Sequence, residues 1–476
     1  MLKIVSVFFL LMIFFTKNSS ALTLSEFLDQ VKNQNLGYLA ANQNAEAYDL
    51  LKKKAELVTA VNLFAYTQTG FTEQNQALQI FSYSRTYTQN NQVGFTKTSD
   101  FGLNTKFYYS LNHTTYKGLN TSSYSNPSLV SSNYQTIPTI ELSLPLWQNR
   151  LGASTKSTKD ATYFANESQK LIAKAVSVSS LVEAEKSYWA LVAARKILAI
   201  QKNAAERTEQ ILSYVSKKEA MNLGEKGDVL QAKALVETKN LLVKQAQNDE
   251  KIAARNFNKQ RYLDSSEVAE RLDEIDLARL QNFLVPKVKA GNRFDVKAGE
   301  ASMKAAVAAA KVEEENNKPS LNLYGSYAVN QLERNNQQAL YSSFDEKGRS
   351  GLVGLRLSMP LNFGLESDIR LGALKSASAA KMNYRQKAFE EENDWQNLVQ
   401  NLDSYKENLK LSLAIESAQK LKLENERNLL RQGRTSTYQI LLFEQDYSSS
   451  VLATTQISYR LLELIAEKKL YESNQN

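Results

Sequence analysis

Leu142-Ser143-Leu144-Pro145-Leu146 and Leu357-Ser358-Met359-Pro360-Leu361 follow one pattern, and their surroundings decide how the chain folds. Up to the end of the first, Ile140, Leu142, Leu144 and Leu146 alternate with Thr139, Glu141, Ser143 and Pro145. Around the second, Val353, Leu355, Leu357, Met359, Leu361 and Phe363 alternate with Gly354, Arg356, Ser358, Pro360 and Asn362. A period of two puts unlike residues on the two faces of a strand. Just past each proline the period turns helical for about 70 residues, or about 100 Å at ~1.5 Å per residue. The chain spells the same events twice: strand, corner, very long helix.

This duplication, offset by about 210 to 260 residues, argues for one architecture built from two similar halves. Six prolines and 17 glycines in 476 residues suit long uninterrupted helices. Residues 1–21 read as an export signal. Lys3 supplies the positive start, Ile4 to Phe15 the apolar core, and Ser19-Ser20-Ala21 the small-residue cleavage site. That core is shorter than the ~20 residues of a spanning helix, so a membrane anchor is the weaker alternative. The chain has no cysteine, hence neither disulfides nor a lipid-modified cysteine. The formal charge of +8 becomes +6 without Lys3 and Lys17, and the excess is scattered along mixed-charge helices. Nucleic-acid binding would need clustered Lys and Arg with interleaved aromatics, so no nucleic-acid partner is expected.

The first repeat is expected over residues 22–263. It opens with a helix from Leu24 to about Val58, capped at Ser25. A strand hairpin follows over 61–147, rich in Asn, Gln, Ser, Thr and Tyr; Phe101, Leu103, Thr105, Phe107, Tyr109 and Leu111 share one face. Two long strands fit this stretch as well as a long hairpin enclosing an inner one. A helical hairpin spans 154–263, with a coiled-coil seam at Leu181, Tyr188, Leu191, Leu198, Ala205 and Leu212. Its return carries Val229, Ala232, Val236, Val243, Ala246, Ala253 and Phe257. Residues 264–292, with Pro286 and Gly291, read as a connector.

The second repeat covers 293–476: a helix, a strand hairpin at 320–363 and a helical hairpin at 366–471. Its seam is Trp395, Leu398, Leu402, Tyr405 and Leu409, returning at Leu441, Tyr447, Val451, Tyr459, Leu462 and Ile465. The fold class is therefore mainly α with a transmembrane β-barrel contribution, a twice-repeated strand hairpin plus a long antiparallel coiled-coil helical hairpin.

Each strand before a corner is long enough for one tilted bilayer crossing of about 9–11 residues. Four strands cannot close a barrel, whose smallest forms have about eight, so copies of the chain must share one. Pro145 and Pro360 are then barrel-to-tunnel corners near the inner bilayer face, where proline ends strand pairing. Leu142, Leu144, Leu357 and Met359 would face lipid, and Glu141, Ser143, Arg356 and Ser358 the lumen.

The duplicated corner, the Lys318-Pro319-Ser320-Leu321-Asn322-Leu323 strand start, the Asp228-Val229-Leu230-Gln231-Ala232 run and the break at Gly433 occur in an order that resembles the TolC-like outer membrane factors. Nearly the whole mature chain takes part in the resemblance. It implies a homotrimer with a twelve-stranded barrel in outer-membrane lipid and a helical tunnel across the periplasm. Its partners would be a periplasmic adaptor (membrane fusion protein) and an inner-membrane transporter of RND, ABC or MFS type. The implied role is the passive exit duct of a tripartite efflux pump or type I secretion system.

The resemblance also places the periplasmic gate and adaptor-contact tips at Asn222, Gly224, Asp228, Gly433, Arg434, Ser436 and Gln439. Asp228 stands where the family has a gate aspartate; a helix N-cap is the alternative. Two departures stand out. Gln439-Ile440-Leu441-Leu442 replaces an acidic stretch, and Asn222 stands where a glycine is usual, though Asn tolerates the left-handed conformation.

Nothing in the chain reads as an enzyme, a metal site or a cofactor site. His113 is the only histidine, Gly224 to Gly227 lacks the Gly-Lys-Ser/Thr ending of a phosphate loop, and the Glu313–Glu315 and Glu390–Glu392 runs fit solvated helix faces. A soluble periplasmic coiled-coil scaffold or adaptor is the alternative function, disfavoured by the two helical hairpins.

Overall fold

The computed structural model of the chain describes residues 21–73, 83–118, 131–345 and 348–472. The expected export signal, up to residue 20, lies outside them. The described chain divides into two compact units, and each draws on both sequence repeats. One unit comprises the described residues of Glu46–Lys170 and Lys297–Lys387; the other comprises the described residues up to Ala45, Leu171–Val296 and those from Ala388 onward.

The first unit carries an antiparallel sheet. Its strands are β1 (Asn62–Thr72), β2 (Arg85–Thr98), β3 (Asn104–Lys117), β4 (Ser132–Pro145), β5 (Ser320–Val329), β6 (Gln331–Glu333) and β7 (Arg349–Ser358). The order is β1-β2-β3-β4-β5-β7, with β6 on β4. Pairs such as Thr139↔Ala328 and Thr136↔Gln331 share one register, so β6 prolongs β5. Of the two readings open for 61–147, the structure shows the long hairpin with an inner one, so the sheet has six long strands among the described residues. The inner hairpin turns through Ser99–Leu103, where Gly102 adopts φ +89° and Ser99 accepts from its N–H at 2.9 Å. A side chain is strained at such a φ, which makes glycine the residue that closes this turn.

The other unit is helical. Its elements include α1 (Leu24–Gln34), α4 (Lys226–Gln260), α5 (Leu277–Gln281) and α9 (Thr437–Lys468), with the greater part of α3 (Ala153–Ala220) and α8 (Phe363–Arg431). The helix expected over 24–58 breaks at Asn35: α2 (Leu36–Leu51) follows, then a 3-10 stretch, Lys52–Thr59. Asn35 ends α1, and its side-chain oxygen accepts from the Tyr38 N–H at 2.9 Å, which restarts the helix. The remaining helices are α6 (Phe294–Asn316) and the short α7 (Asn336–Tyr341) between β6 and β7.

Phe27, Tyr188 and Phe257 form the aromatic centre of the helical core, with Phe27 stacked on Phe257 at 4.2 Å. Leu191, Trp395, Leu398, Leu402, Leu409, Leu461 and Leu464 join the same cluster. Each such fully buried side chain contributes roughly 1.5–3 kcal/mol relative to exposure. The connector at 264–292 is pinned to this core. Arg195 donates to the carbonyls of Glu270 and Val268, and the Tyr188 hydroxyl donates to Leu22 O at 2.7 Å while accepting from the Asp273 N–H at 2.9 Å.

The seams hold for Tyr188, Leu191, Ala232, Val236, Phe257, Trp395, Leu398, Leu402 and Leu409, all buried. Two stretches shift. On α3 the buried positions are Gln201, Ala204, Thr208, Ile211 and Val215 rather than Leu198, Ala205 and Leu212. Along the middle of α9, after the buried Leu441 and before the buried Leu461 and Leu462, they are Glu444, Ser448, Ser450, Thr454, Thr455 and Ser458, while Tyr447, Val451 and Tyr459 are only half-buried. Each of these hydroxyls finds a partner close by. Thr454 and Ser458 donate to the carbonyls four residues back at 3.1 and 2.7 Å, and Ser448 bonds to the Glu444 carboxylate at 3.3 Å. A stripe of small, self-satisfied polar residues can therefore pack where apolar periodicity pointed elsewhere.

Candidate functional site

Residues directly opposite in an antiparallel ladder point to the same side of the sheet. One such row is Leu63–Phe95–Phe107–Ile140–Tyr327–Gly351. The same side carries Val93, Leu142, Leu323, Val353, Leu355 and Leu357, each exposed. Val353, at 78 % exposure, sits on the edge strand β7. An exposed apolar surface of this continuity is unusual on a soluble chain. Farther along, α7 lies over this side, where Thr136 donates to Ala339 O at 2.9 Å and Tyr109 bonds to Ser343 at 2.6 Å.

The opposite side is polar. Tyr108 donates to Glu141 at 2.8 Å, Gln92 to Ser110 at 2.7 Å, and the Lys106 ammonium lies 4.5 Å from the Tyr108 ring centre. Arg356 lies 5.0 Å from the Tyr324 ring centre. That ring crosses Gly354, where a Cβ would stand 2.8 Å from the tyrosine hydroxyl. Glu141, Ser143, Arg356 and Ser358 share this side, and Leu142, Leu144 and Leu357 share the other. Met359 follows the last pair of β7.

The two corners differ. Ladder bonds run past Pro145, since Leu146 N–H donates to Leu321 O at 2.7 Å and Gln148 N–H to Pro319 O at 3.2 Å. Pro145 therefore does not end the pairing. It is tolerated because β3 already stops at Asn104, opposite Ser143, and offers no partner for an N–H there. The redirection comes later, at Asn149 (φ 57°), Leu151 (φ 54°) and Gly152 (φ 74°). The Asn149 side chain caps the start of α3 by accepting from the Thr155 N–H at 3.0 Å. Gly152 abuts the Asp100 carbonyl, and Lys159 reaches Asp100 at 3.0 Å and Glu56 at 3.1 Å. At the second corner β7 ends at Ser358, and Pro360 stands exposed between that end and α8.

The tips of the helical hairpins are closer twins than the corners. Asn222 (φ 57°) and Gly433 (φ 70°) each take the left-handed position after a long helix. Leu223 N–H donates to Lys218 O and Arg434 N–H to Leu429 O, both at 2.9 Å, the six-to-one bond of a Schellman cap. Ser436 caps α9 by accepting from the Gln439 N–H at 3.2 Å. Asp228 is not the N-cap of α4; Glu225 holds that place, and Asp228 lies within the first turn. Its carboxylate accepts from the Thr437 hydroxyl at 2.9 Å and so ties the two tips of the chain together. Arg434 is exposed and bonds to Gln432 at 3.4 Å, while Gly224 is exposed in the first tip.

One charged group at these tips was not visible in the sequence. Glu444, completely buried on α9, is held by Arg207 of α3 at 2.6 Å and Arg427 of α8 at 3.1 Å. Lys239 of α4, also buried, feels this carboxylate; burial pushes its ammonium pKa down, with the Glu444 charge acting against the shift. A cleft in the same helical unit is lined by Ser179, Glu183, Arg293 and Asp295, but Arg293 is engaged by Asp295 at 2.7 Å and Asp394 at 2.9 Å. Among the described residues no three His, Cys, Asp or Glu side chains are grouped to hold a metal ion.

No family model matches the chain, and no curated protein matches it in sequence. Solved structures do match in shape. The outer-membrane channel OprN superposes with TM-score 0.64 at 15 % identity, over 94 % of this chain and 90 % of that one. The outer membrane protein VceC from Vibrio cholerae gives 0.63 at 12 %, over 94 % and 96 %. The open state of the Neisseria gonorrhoeae MtrE outer membrane channel gives 0.64 at 16 %, over 94 % and 88 %. The fold is that of the TolC-like outer membrane factors.

Proposed function

We propose that this chain is an exit duct in the outer membrane, acting as a homotrimer in a tripartite efflux pump or type I secretion system. The observation that carries this reading is the sheet with one exposed apolar side and one polar side. In a closed barrel the apolar side meets lipid and the polar side, with Glu141, Lys106 and Arg356, lines water. Among the described residues no helix is long and apolar enough to cross a membrane, and the strands take that role here. The helical hairpins extend into the periplasm, and their tips meet an adaptor joined to an inner-membrane transporter. Asp228 and Thr437 hold the periplasmic mouth narrow by coupling the tips. The chain is a passive conduit, driven by its partner transporter. A soluble scaffold would gain nothing from the apolar side of the sheet.

Cell fractionation tests the reading. The chain is expected in the outer-membrane fraction as a trimer that resists heating in detergent. A soluble periplasmic monomer would overturn it.

A further inference from the structure

We propose that each copy contributes six strands to the barrel, so that three copies close an eighteen-stranded wall through pairing of β7 on one copy with β1 on the next. The inference rests on the duct reading above and concerns its width and its subunit contact.

The strand order leaves two edges, β1 and β7. Both are long, 11 and 10 residues, and both carry exposed apolar residues, Leu63 and Phe71 on one and Val353, Leu355 and Leu357 on the other. Free edges of this kind pair with another chain or are blocked by charge, proline or a covering segment. An even number of strands alternating in direction makes β7 of one copy antiparallel to β1 of the next, so the ring closes without an edge.

The inner hairpin β2–β3 belongs in the wall. Its ladders with β1 and β4 run through 11 and 12 residue pairs. Its turn is built into the first corner, where Gly152 abuts the Asp100 carbonyl and Lys159 binds Asp100 at 3.0 Å. Its Val93, Phe95 and Phe107 continue the apolar side, and its Gln92, Lys106 and Ser110 continue the polar one.

Closure also constrains the register. The row through Leu63 reaches Gly351, whose side chain position must meet a residue on the same side of the neighbouring β1. Aligning the last ladder residues of the two edges, Ser358 with Asn62, sets Gly351 against Thr69. With ~3.3 Å per residue and ~4.7 Å between strands, that offset tilts the strands by about 35°, within the range of closed barrels. Because barrel diameter grows roughly linearly with strand number, the lumen is about half again as wide as that of a twelve-stranded barrel.

Cryo-electron microscopy of the trimer in lipid nanodiscs counts the strands. Eighteen are expected; a wall of twelve, with a hairpin outside it, overturns the inference. In this cysteine-free chain, the Asn62→Cys/Ser358→Cys double variant is expected to give covalent trimers on non-reducing gels. Covalent trimers from Asn104→Cys/Ser358→Cys instead would place β3 at the subunit contact and overturn it too. A chain that forms no membrane trimer fails the duct reading itself, whereas a twelve-stranded trimer fails only this one.

Discussion

The two corners share a pentapeptide pattern and a place between a strand and a very long helix, but they are held differently. The first sits inside the sheet, with β3 and β5 on either side, and its redirection uses three positive-φ positions within four residues, Asn149, Leu151 and Gly152. The second lies on an edge strand, exposed, with open space around Gly364. The difference traces to the inner hairpin, which exists only in the first half and whose turn presses against the first corner. Sequence repetition therefore set the path of the chain, while the neighbours of each copy set how tightly that path is held.

The same methyl group placed at both corners should separate them most strongly. Gly152→Ala puts a Cβ against backbone at a positive φ and is expected to cost on the order of 3 kcal/mol or more. Gly364→Ala, on the open first turn of α8, should leave stability unchanged or raise it by up to about 1 kcal/mol. Thermal unfolding of the two variants decides; equal losses would mean the corners are equivalent after all.

Next in size is Glu444→Ala. It leaves Arg207 and Arg427 facing one another without their shared carboxylate, a loss of about 3 kcal/mol as judged by denaturant unfolding. This test contrasts the helical unit with the sheet, because the damage should appear in the helical signal and spare the strands.

The tips offer a milder comparison. Gly433→Ala forces a side chain into the left-handed cap and should cost about 1 kcal/mol, whereas Asn222→Gly should change stability by only a few tenths. A large loss at Asn222 would show that its side chain does more than tolerate the turn.

The smallest effect concerns pH. Hydrogen bonding to Lys170, and then to Lys52, holds Asp49 down at about 2. A carboxylate depressed in the folded state stabilises above its unfolded value of ~3.9 and loses that contribution as pH falls toward the folded value. Acid titration should therefore show Asp49→Asn to be less stable than the parent at pH 5, with the difference closing as pH falls through about 2.

Much of this was legible in the residues. Alternation at Leu142–Leu146 and Val353–Leu361 gave strands whose two sides are chemically unlike, and the helical period gave both hairpins and most of their seam. The resemblance put Asn222 where a glycine is usual, and the structure gives it the left-handed conformation. The inner hairpin was left open because Asn, Gln, Ser and Thr leave little periodic contrast between its strands. The proline at the first corner misled, since whether it interrupts a ladder depends on where β3 ends, a non-local fact. The stripe of Ser and Thr on α9 and the Glu444 bridge were hidden for the same reason: a hydroxyl satisfied by its own helix, or a carboxylate satisfied by two other helices, looks like a surface group until its neighbours are known.

Conduction is the property that an exit duct cannot lack. Purified protein in a planar lipid bilayer should insert and pass ions in discrete steps, and Asp228→Ala, which removes the bond from Thr437, should raise the conductance of each step. Protein that leaves the bilayer silent at every voltage would rule out the duct.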